Sequence, residues 1–295
     1  MRTILVDAFT RIPGTGNRAG IAPDAGSLND ATMQRVAAAV AASETSFLLP
    51  PSPGVDVHLR YFTPGDEIKF CGHATVATFH WLAETGAVPV PGRLTMECPA
   101  GRLEIELARD GDRCQVWMST PRYPYQPNPI AEATLLGLLG GSPGMRDREL
   151  PIEHSGHHLL IPLKRRADLW ALNPQLEALT AEGERHGVRG YYAFTREASD
   201  EGSTTQGRYF APSLGVREDP VTGSASGILA EYLAIHGVLQ FPAGGGPARG
   251  RAEQGDVIGK PGRAELEVSG GNGAVKGVRV GGVAVTVLDG LLKSF

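Results

Sequence analysis

Hydrophobic side chains mark two segments of this sequence, 72–86 and 223–237, that share one pattern. In both segments apolar residues fall on every side of a predicted helix, and the helix ends at a glycine. A helix that is apolar all round is normally buried, and a glycine just past the last turn is the usual C-terminal stop. When Gly72 is aligned with Gly223, the fourteen residues that follow align without a gap. The pattern therefore predicts a duplicated fold in which each half encloses one central helix.

The rest of the chain shows helical spacing in a few places and strand-like alternation in many. The predicted helices are 28–42, 130–140 and 174–186, and the predicted strands are 3–9, 55–62, 93–98, 102–107, 113–118, 159–163, 188–195, 263–268 and 276–287. Glycine, proline and polar residues predict loops at 13–20 (presenting Asn17) and 242–250, and a solvated hairpin or loop at 197–207. The class that these elements favour is mixed α and β.

A proline-rich run at residues 120–129 is the expected linker between two domains. A chain of 295 residues is comfortable for two domains of ordinary size. We therefore expect an N-terminal lobe of residues 1–119, completed by the C-terminal strand 276–295, and a C-terminal lobe of residues 120–275.

Composition and charge exclude several classes of partner. The 28 basic and 32 acidic residues give a net charge of −4 with no basic stripe, so neither nucleic acid nor an anionic membrane surface is an expected partner. No apolar run reaches membrane-spanning length, and the N-terminus is predicted to be a strand and not a secretion signal. The odd count of three cysteines does not suit a disulfide framework and fits a reducing cytoplasm.

Both predicted central helices begin with a glycine followed by a polar residue, Gly72-His73 and Gly223-Ser224. Helix starts carry free N–H groups and a partial positive charge, so two facing starts would form a cradle for an anion. The helix start would also lower the pKa of His73 and leave a neutral donor. Cys71 is interpreted as a small buried residue that packs at the start of the first helix.

Glu44 lies where a predicted helix passes into a strand, and two interpretations of it stay open. It could be a solvated acid at a helix end, as most glutamates are. It could instead be a partly buried carboxylate whose pKa is raised by burial and which carries protons.

Two further patterns suggest a metal or a cofactor, and neither is complete. Histidines 154, 157 and 158 lie close together, but no further ligand pattern joins them, so they are interpreted as side chains at a strand entry. The glycines of the 13–20 turn lack the spacing of a dinucleotide-binding loop. We therefore expect no metal and no organic cofactor.

Six motifs follow one another along the chain with matching spacing. They are Ser43-Glu44-Thr45, Phe62-Thr63-Pro64, Cys71-Gly72-His73-Ala74-Thr75, Phe210-Ala211-Pro212, Glu218-Asp219-Pro220-Val221-Thr222-Gly223-Ser224-Ala225 and Gln254-Gly255. Together they resemble the PhzF-like family, the phenazine-biosynthesis isomerases and their relatives, within the diaminopimelate epimerase-like fold.

The resemblance implies an α+β fold of two pseudo-symmetric lobes, each a curled, mainly antiparallel sheet around a central helix, with the active site in the cleft between them. It implies a cofactor-independent isomerase, often a homodimer, that moves a proton within a small unsaturated carboxylate such as dihydro-3-hydroxyanthranilate. The catalytic residues that it implies are Glu44, as the acid/base, with His73 and Asp219. The substrate-binding residues that it implies are Asn17, Gly72, His73, Gly223 and Ser224.

Departures from the family pattern put the substrate in question. Arg18 follows Asn17 where proline is usual and would place a cation near the cleft entrance, Ser226-Gly227 stands where histidine is common, and Lys260 replaces an arginine. A lyase that dehydrates a hydroxylated acid and a non-catalytic carboxylate-binding protein remain alternatives. Racemisation by two thiols is disfavoured because the other two cysteines, Cys98 and Cys114, lie in the same half as Cys71.

Overall fold

The computed structural model describes residues 1–271 and 274–293, and contacts divide the chain into two units. The first unit comprises Met1–Ser119 together with the segment that begins at Val280, and the second comprises Thr120–Arg279. Both units mix helices and strands, as predicted. The last two residues of the expected strand 276–295 lie outside the described residues. Within the described ranges, no helix is both long enough and apolar enough to cross a membrane.

The first unit contains two helices and nine strands of its own. These are β1 Arg2–Ala8, β2 Asn17–Ala22, α1 Asp30–Val40, β3 Glu44–Leu49, β4 Val57–Phe62, β5 Glu67–Ile68, α2 Gly72–Glu84, β6 Gly92–Cys98, β7 Gly101–Asp110, β8 Arg113–Ser119 and β18 Ala284–Leu291. The strands pair in the order β18-β1-β2-β3-β4-β6-β7-β8, and β5 also pairs with β4. Only the β2–β3 and β4–β6 pairings of this series are parallel.

Helix α2 is enclosed by this sheet. It contacts β18 and β8, at the two ends of the series, as well as β1, β2 and β3, so the sheet curls around the helix. Residues 73–82 are all buried. The hydroxyls of Thr75 and Thr78 donate to carbonyl oxygens one turn earlier, each at 2.7 Å, which satisfies these polar groups inside the core. The prediction of a buried helix in this segment is confirmed.

Within the described residues, the second unit contains four α-helices and nine strands, and the last of these strands runs on into the first unit. These are β9 Tyr125–Pro127, α3 Glu132–Leu138, β10 Glu153–Ser155, β11 His158–Leu163, α4 Arg166–Trp170, α5 Leu176–His186, β12 Gly190–Thr195, β13 Thr205–Ala211, β14 Val216–Asp219, α6 Gly223–Ile235, β15 Ala248–Gln254 and β16 Gly262–Gly271, and then β17 Ala274–Gly282, which crosses the boundary. The strands pair in the order β9-β10-β11-β12-β13-β15-β16, and β14 also pairs with β13.

The two series of strands share one pairing pattern. In both, successive pairings are antiparallel, antiparallel, parallel, antiparallel, parallel and antiparallel. In both, an apolar helix follows the short side strand, α2 after β5 and α6 after β14. Helix α6 contacts β11, β15 and β16, and residues 225–233 are all buried. Its buried Glu231 accepts hydrogen bonds from the Arg122 guanidinium at 2.6 and 2.7 Å.

The structure confirms the three predicted helices 28–42, 130–140 and 174–186 as α1, α3 and α5. The three predicted loops are each partly wrong, because a strand begins inside each of them. Asn17 is the first residue of β2, because the preceding turn ends at Gly16. At Gly16 φ is 64°, and a Cβ would lie 2.2 Å from a carbonyl oxygen. Part of the expected loop 197–207 is the start of β13, and part of 242–250 is the start of β15.

The polar residues of β13 explain why its start resembles a solvent-exposed loop in the sequence. Gln206 donates to buried Glu253 at 2.9 Å, and the Arg208 guanidinium binds both carboxylate oxygens of Glu218 at 2.9 and 2.7 Å. Buried polar side chains of this kind are stable when their partners are buried with them. Those partners are distant in sequence, so no local pattern reveals them.

We predict that Gly183→Ala in α5 destabilises the protein by roughly 1–3 kcal/mol, the usual cost of overpacking. An added Cβ would lie 2.3 Å from the Val188 carbonyl oxygen and 2.6 Å from the Tyr191 hydroxyl oxygen. Gly137→Ala in α3 is the matched control, because nothing lies within 4 Å of its Cβ position and alanine favours a helix by up to about 1 kcal/mol. Urea unfolding followed by circular dichroism should show opposite shifts. Equal shifts would contradict the packing described for Gly183.

Candidate active site

Glu44 and His73 are positioned by two junctions in the first unit. Helix α1 ends at Ala41, whose left-handed backbone (φ 55°) turns the chain back toward the sheet. Glu44 then opens β3, and it pairs in register with Ala19 of β2. His73 is the second residue of α2, directly after Gly72 and the N-cap residue Cys71.

Four side chains meet at these junctions, and we call them the Glu44–His73 cluster: Ser43, Glu44, Cys71 and His73. Glu44 Oε2 lies 3.1 Å from His73 Nε2, and Ser43 Oγ lies 3.1 Å from the same nitrogen. Cys71 Sγ lies 3.4 Å from His73 Nδ1 and 3.8 Å from Nε2. Cys71 and His73 are each 7% exposed, and the Glu44 side chain is 17% exposed. The interpretation of Glu44 as a solvated acid is therefore wrong.

The charges of this cluster differ from the sequence-based expectation. Burial alone raises the pKa of Glu44, but the charge of His73 and hydrogen bonds from His73, Ser43 and Cys71 outweigh burial, so the pKa lies below its ordinary value. The expected rise is wrong because a neighbouring cation opposes desolvation. Burial alone also lowers the pKa of His73, but Cys71 and Glu44 outweigh it and hold that pKa well above its ordinary value. This direction favours an imidazolium at His73 over the expected neutral donor.

Burial raises the pKa of the Cys71 thiol. This agrees with its interpretation as a small residue that packs at a helix start. It stays in contact with the ion pair that Glu44 and His73 form.

Asn17 adjoins the cluster through Ser43. The Ser43 hydroxyl lies 3.5 Å from Asn17 Oδ1 and 3.1 Å from the Arg18 carbonyl oxygen, and it can donate its one proton to either acceptor. The Arg18 guanidinium binds the carboxylate of buried Asp7, at 2.7 and 2.9 Å. Arg18 therefore neutralises a buried acid, a structural role that the sequence did not indicate. The contact between Ser43 and His73 was not predicted, although the Ser43 hydroxyl next to Glu44 is visible in the sequence.

In the second unit, Asp219 ends β14, three residues before the N-cap Thr222 of α6. The Thr222 hydroxyl donates to the Asp219 carboxylate. The Gln254 amide nitrogen donates to the Asp219 carbonyl oxygen at 2.7 Å, and the Gln254 amide oxygen accepts from the Thr222 N–H at 3.3 Å. Ser224 is exposed and Gly223 is buried. Gln254 therefore fixes the turn that carries Asp219 to the helix start.

Among the described residues, one group of side chains has the donor types and spacing to hold a metal ion: Glu44, Cys71 and His73, whose donor atoms all lie within 4.8 Å of one another. The three histidines of 154–158 do not form such a group there. His158 instead bonds the Tyr209 hydroxyl through Nδ1 at 2.8 Å, and burial lowers its pKa to about 3.

Comparison with known proteins identifies relatives over nearly the whole chain. The family model PhzC-PhzF, described as phenazine biosynthesis-like protein, matches residues 6–290. An uncharacterized isomerase of Deinococcus radiodurans is 38% identical over 97% of this chain and 92% of its own length. The trans-2,3-dihydro-3-hydroxyanthranilate isomerase of Pseudomonas fluorescens is 35% identical over 93% of this chain and 96% of its own length.

Solved structures show the same fold. The PhzF-family phenazine biosynthesis protein of Bacillus anthracis matches 99% of both chains with a TM-score of 0.88 at 30% identity. A probable proline racemase of Agrobacterium radiobacter matches 99% of this chain and 92% of its own with a TM-score of 0.63 at 13% identity. The second likeness shows the fold alone, and it places this mixed α and β chain among epimerase-like folds.

We predict that His73 is protonated at neutral pH, whereas His80, on the same helix, is neutral because burial lowers its pKa. Long-range proton–nitrogen NMR of the imidazoles should report both states in one spectrum. Glu44→Gln should lower the pKa of His73, because the variant removes one negative charge 3.1 Å from Nε2. A neutral His73 at pH 7 in the wild type, or a pKa unchanged by Glu44→Gln, would contradict the ion pair.

Proposed function

This chain is an isomerase of the phenazine biosynthesis-like family PhzC-PhzF, and we propose that it moves a proton within a small unsaturated carboxylate, with Glu44 as the acid/base. The observation that carries the proposal is the contact between the partly buried Glu44 carboxylate and His73 at the start of α2. An ionised carboxylate can accept a proton from carbon, and the adjacent imidazolium and helix start suit the negative charge that then develops on a substrate.

The size of these effects favours an activated substrate. A helix dipole contributes about 0.3–1 kcal/mol, or about 2 kcal/mol when partly buried, and each preorganised hydrogen bond in a dry site contributes roughly 3–4 kcal/mol. Enzymes lower barriers by about 8 kcal/mol or more. Because the pKa of Glu44 is low, the carboxylate is a weak base. We therefore favour a proton that is allylic or vinylogous to a carboxylate over one on a simple amino acid.

A single base of this kind removes and returns a proton on one face and so shifts its position. Stereochemical inversion normally needs a second base on the opposite face. Cys71 is poorly placed as a second base on the opposite face, because it lies in the same cluster as Glu44, against the same imidazole. The cluster therefore supports proton relocation better than racemisation.

We further propose that the two units are pseudo-symmetric lobes, each a curled sheet around one apolar helix, and that both supply substrate-binding groups. The shared order of strand pairings supports the first proposal. In the first unit we propose Asn17, Gly72 and His73 as substrate-binding residues. In the second unit we propose Asp219 as a catalytic acid, which its position in a hydrogen-bonded turn supports. We propose Gly223 and Ser224 as hydrogen-bond donors to the substrate, because they lie at a helix start.

We predict that Glu44→Gln lowers the rate of proton transfer by about 10²–10⁴-fold, the usual contribution of a general acid/base. The measurement is deuterium incorporation from D₂O into trans-2,3-dihydro-3-hydroxyanthranilate, followed by NMR. Glu97→Gln is the matched control, since Glu97 is also in the first unit and its side chain is 16% exposed against 17% for Glu44. Turnover retained in a folded Glu44→Gln variant, or a product that has lost water, would contradict the proposal.

A further inference from the structure

We propose that Glu44, Cys71 and His73 form a binding site for a divalent transition metal of the Zn²⁺ type, which occupies the position of the shared proton. The site would be a three-ligand centre with thiolate, imidazole and carboxylate donors, and binding would release the thiol proton of Cys71 and the proton that His73 shares with Glu44 to solvent. Metal binding is independent of the proposed function, whereas the inhibition inferred below depends on it.

The distances within the cluster suit such an ion. Zinc bonds of about 2.0–2.3 Å in a tetrahedral arrangement separate neighbouring donor atoms by roughly 3.3–3.8 Å. Here Glu44 Oε2 lies 3.1 Å from His73 Nε2, and Cys71 Sγ lies 3.8 Å from the same nitrogen. The three donor atoms lie within 4.8 Å of one another. Side-chain shifts of up to about 1 Å would therefore bring the three donor atoms to tetrahedral spacing.

The donor set also selects the class of metal. A thiolate with an imidazole favours borderline-soft ions such as Zn²⁺ and Co²⁺, while Mg²⁺ and Ca²⁺ prefer oxygen donors alone. Three protein ligands leave the fourth tetrahedral position open. We therefore expect a zinc-type ion that keeps one exchangeable ligand.

The surroundings of the cluster favour an additional cation. Glu44 Oε2 is buried, and it faces His73 Nε2 at 3.1 Å, the nitrogen that would share the ion with it. Cys71 is held at the start of α2, where its carbonyl oxygen accepts from the Thr75 hydroxyl at 2.7 Å. The Ser43 hydroxyl has a second acceptor in the Arg18 carbonyl oxygen, at 3.1 Å. Ser43 can therefore release His73 Nε2 to a metal without losing its own hydrogen bond.

A bound metal would compete with proton transfer. It would use the Glu44 carboxylate and the His73 nitrogen that otherwise share the proton. If the proposed function holds, Zn²⁺ inhibits deuterium exchange into the substrate, and a chelator restores it.

The test is a titration of the full chain with Co²⁺ alone, followed by absorption spectroscopy. We expect one ion per chain, with a thiolate-to-cobalt charge-transfer band in the near ultraviolet, and Zn²⁺ should displace the Co²⁺. Cys71→Ser should abolish the band and weaken binding at least about tenfold, and Glu44→Gln should keep the band but weaken binding similarly. Cys114→Ser is the matched control, because Cys114 is also 7% exposed and lies outside the cluster.

The outcomes separate the metal site from the proposed function. A charge-transfer band that is absent in the wild type, retained in Cys71→Ser or lost in Cys114→Ser would overturn the metal site. Binding that is unaffected in Glu44→Gln would also overturn it, and this variant decides the matter even if Cys71→Ser fails to fold. Unimpaired exchange in Glu44→Gln would overturn the proposed function and leave the spectroscopic result standing.

Discussion

The first unit is organised around a buried ion pair between a strand start and a helix start. Transferring either the Glu44 carboxylate or the His73 imidazolium from water alone costs several kcal/mol, and only close pairing offsets that cost. The 3.1 Å contact therefore requires the first residue of β3 and the second residue of α2 to be held in fixed positions. The Thr75 hydroxyl, which binds the Cys71 carbonyl and contacts the Tyr61 hydroxyl at 2.6 Å, fixes the helix end of this arrangement.

Much of the fold follows from local sequence patterns, because apolar composition alone marks α2 and α6 as buried helices. The order of strand pairings could not be predicted in this way, since parallel and antiparallel neighbours such as β3 with β2 and with β4 are chosen by contacts distant in sequence. The strand starts at Asn17 and Thr205 were missed for a related reason. A tight glycine turn and buried acidic partners stabilise polar segments that resemble loops when taken alone.

The site was predictable as a set of residues but not in its charges. Glu44 at a helix–strand junction and His73 at a helix start are visible in the sequence. The sign of each pKa change is a balance between desolvation and a neighbouring charge, and that balance depends on a distance that the sequence does not contain. The same contact brings Cys71 beside both groups, so that donors suited to a proton also suit a metal. Proton transfer and metal binding would then be mutually exclusive uses of one cluster.

The central claim is that His73 keeps Glu44 ionised inside the protein, ready to accept a proton. Titration of the Glu44 carboxyl carbon by ¹³C NMR, in the wild type and in His73→Asn, tests this claim most directly. We expect a pKa below the ordinary glutamate value in the wild type and above it in His73→Asn, where burial acts without an opposing cation. A wild-type pKa at or above the ordinary value, or one that the substitution leaves unchanged, would contradict it.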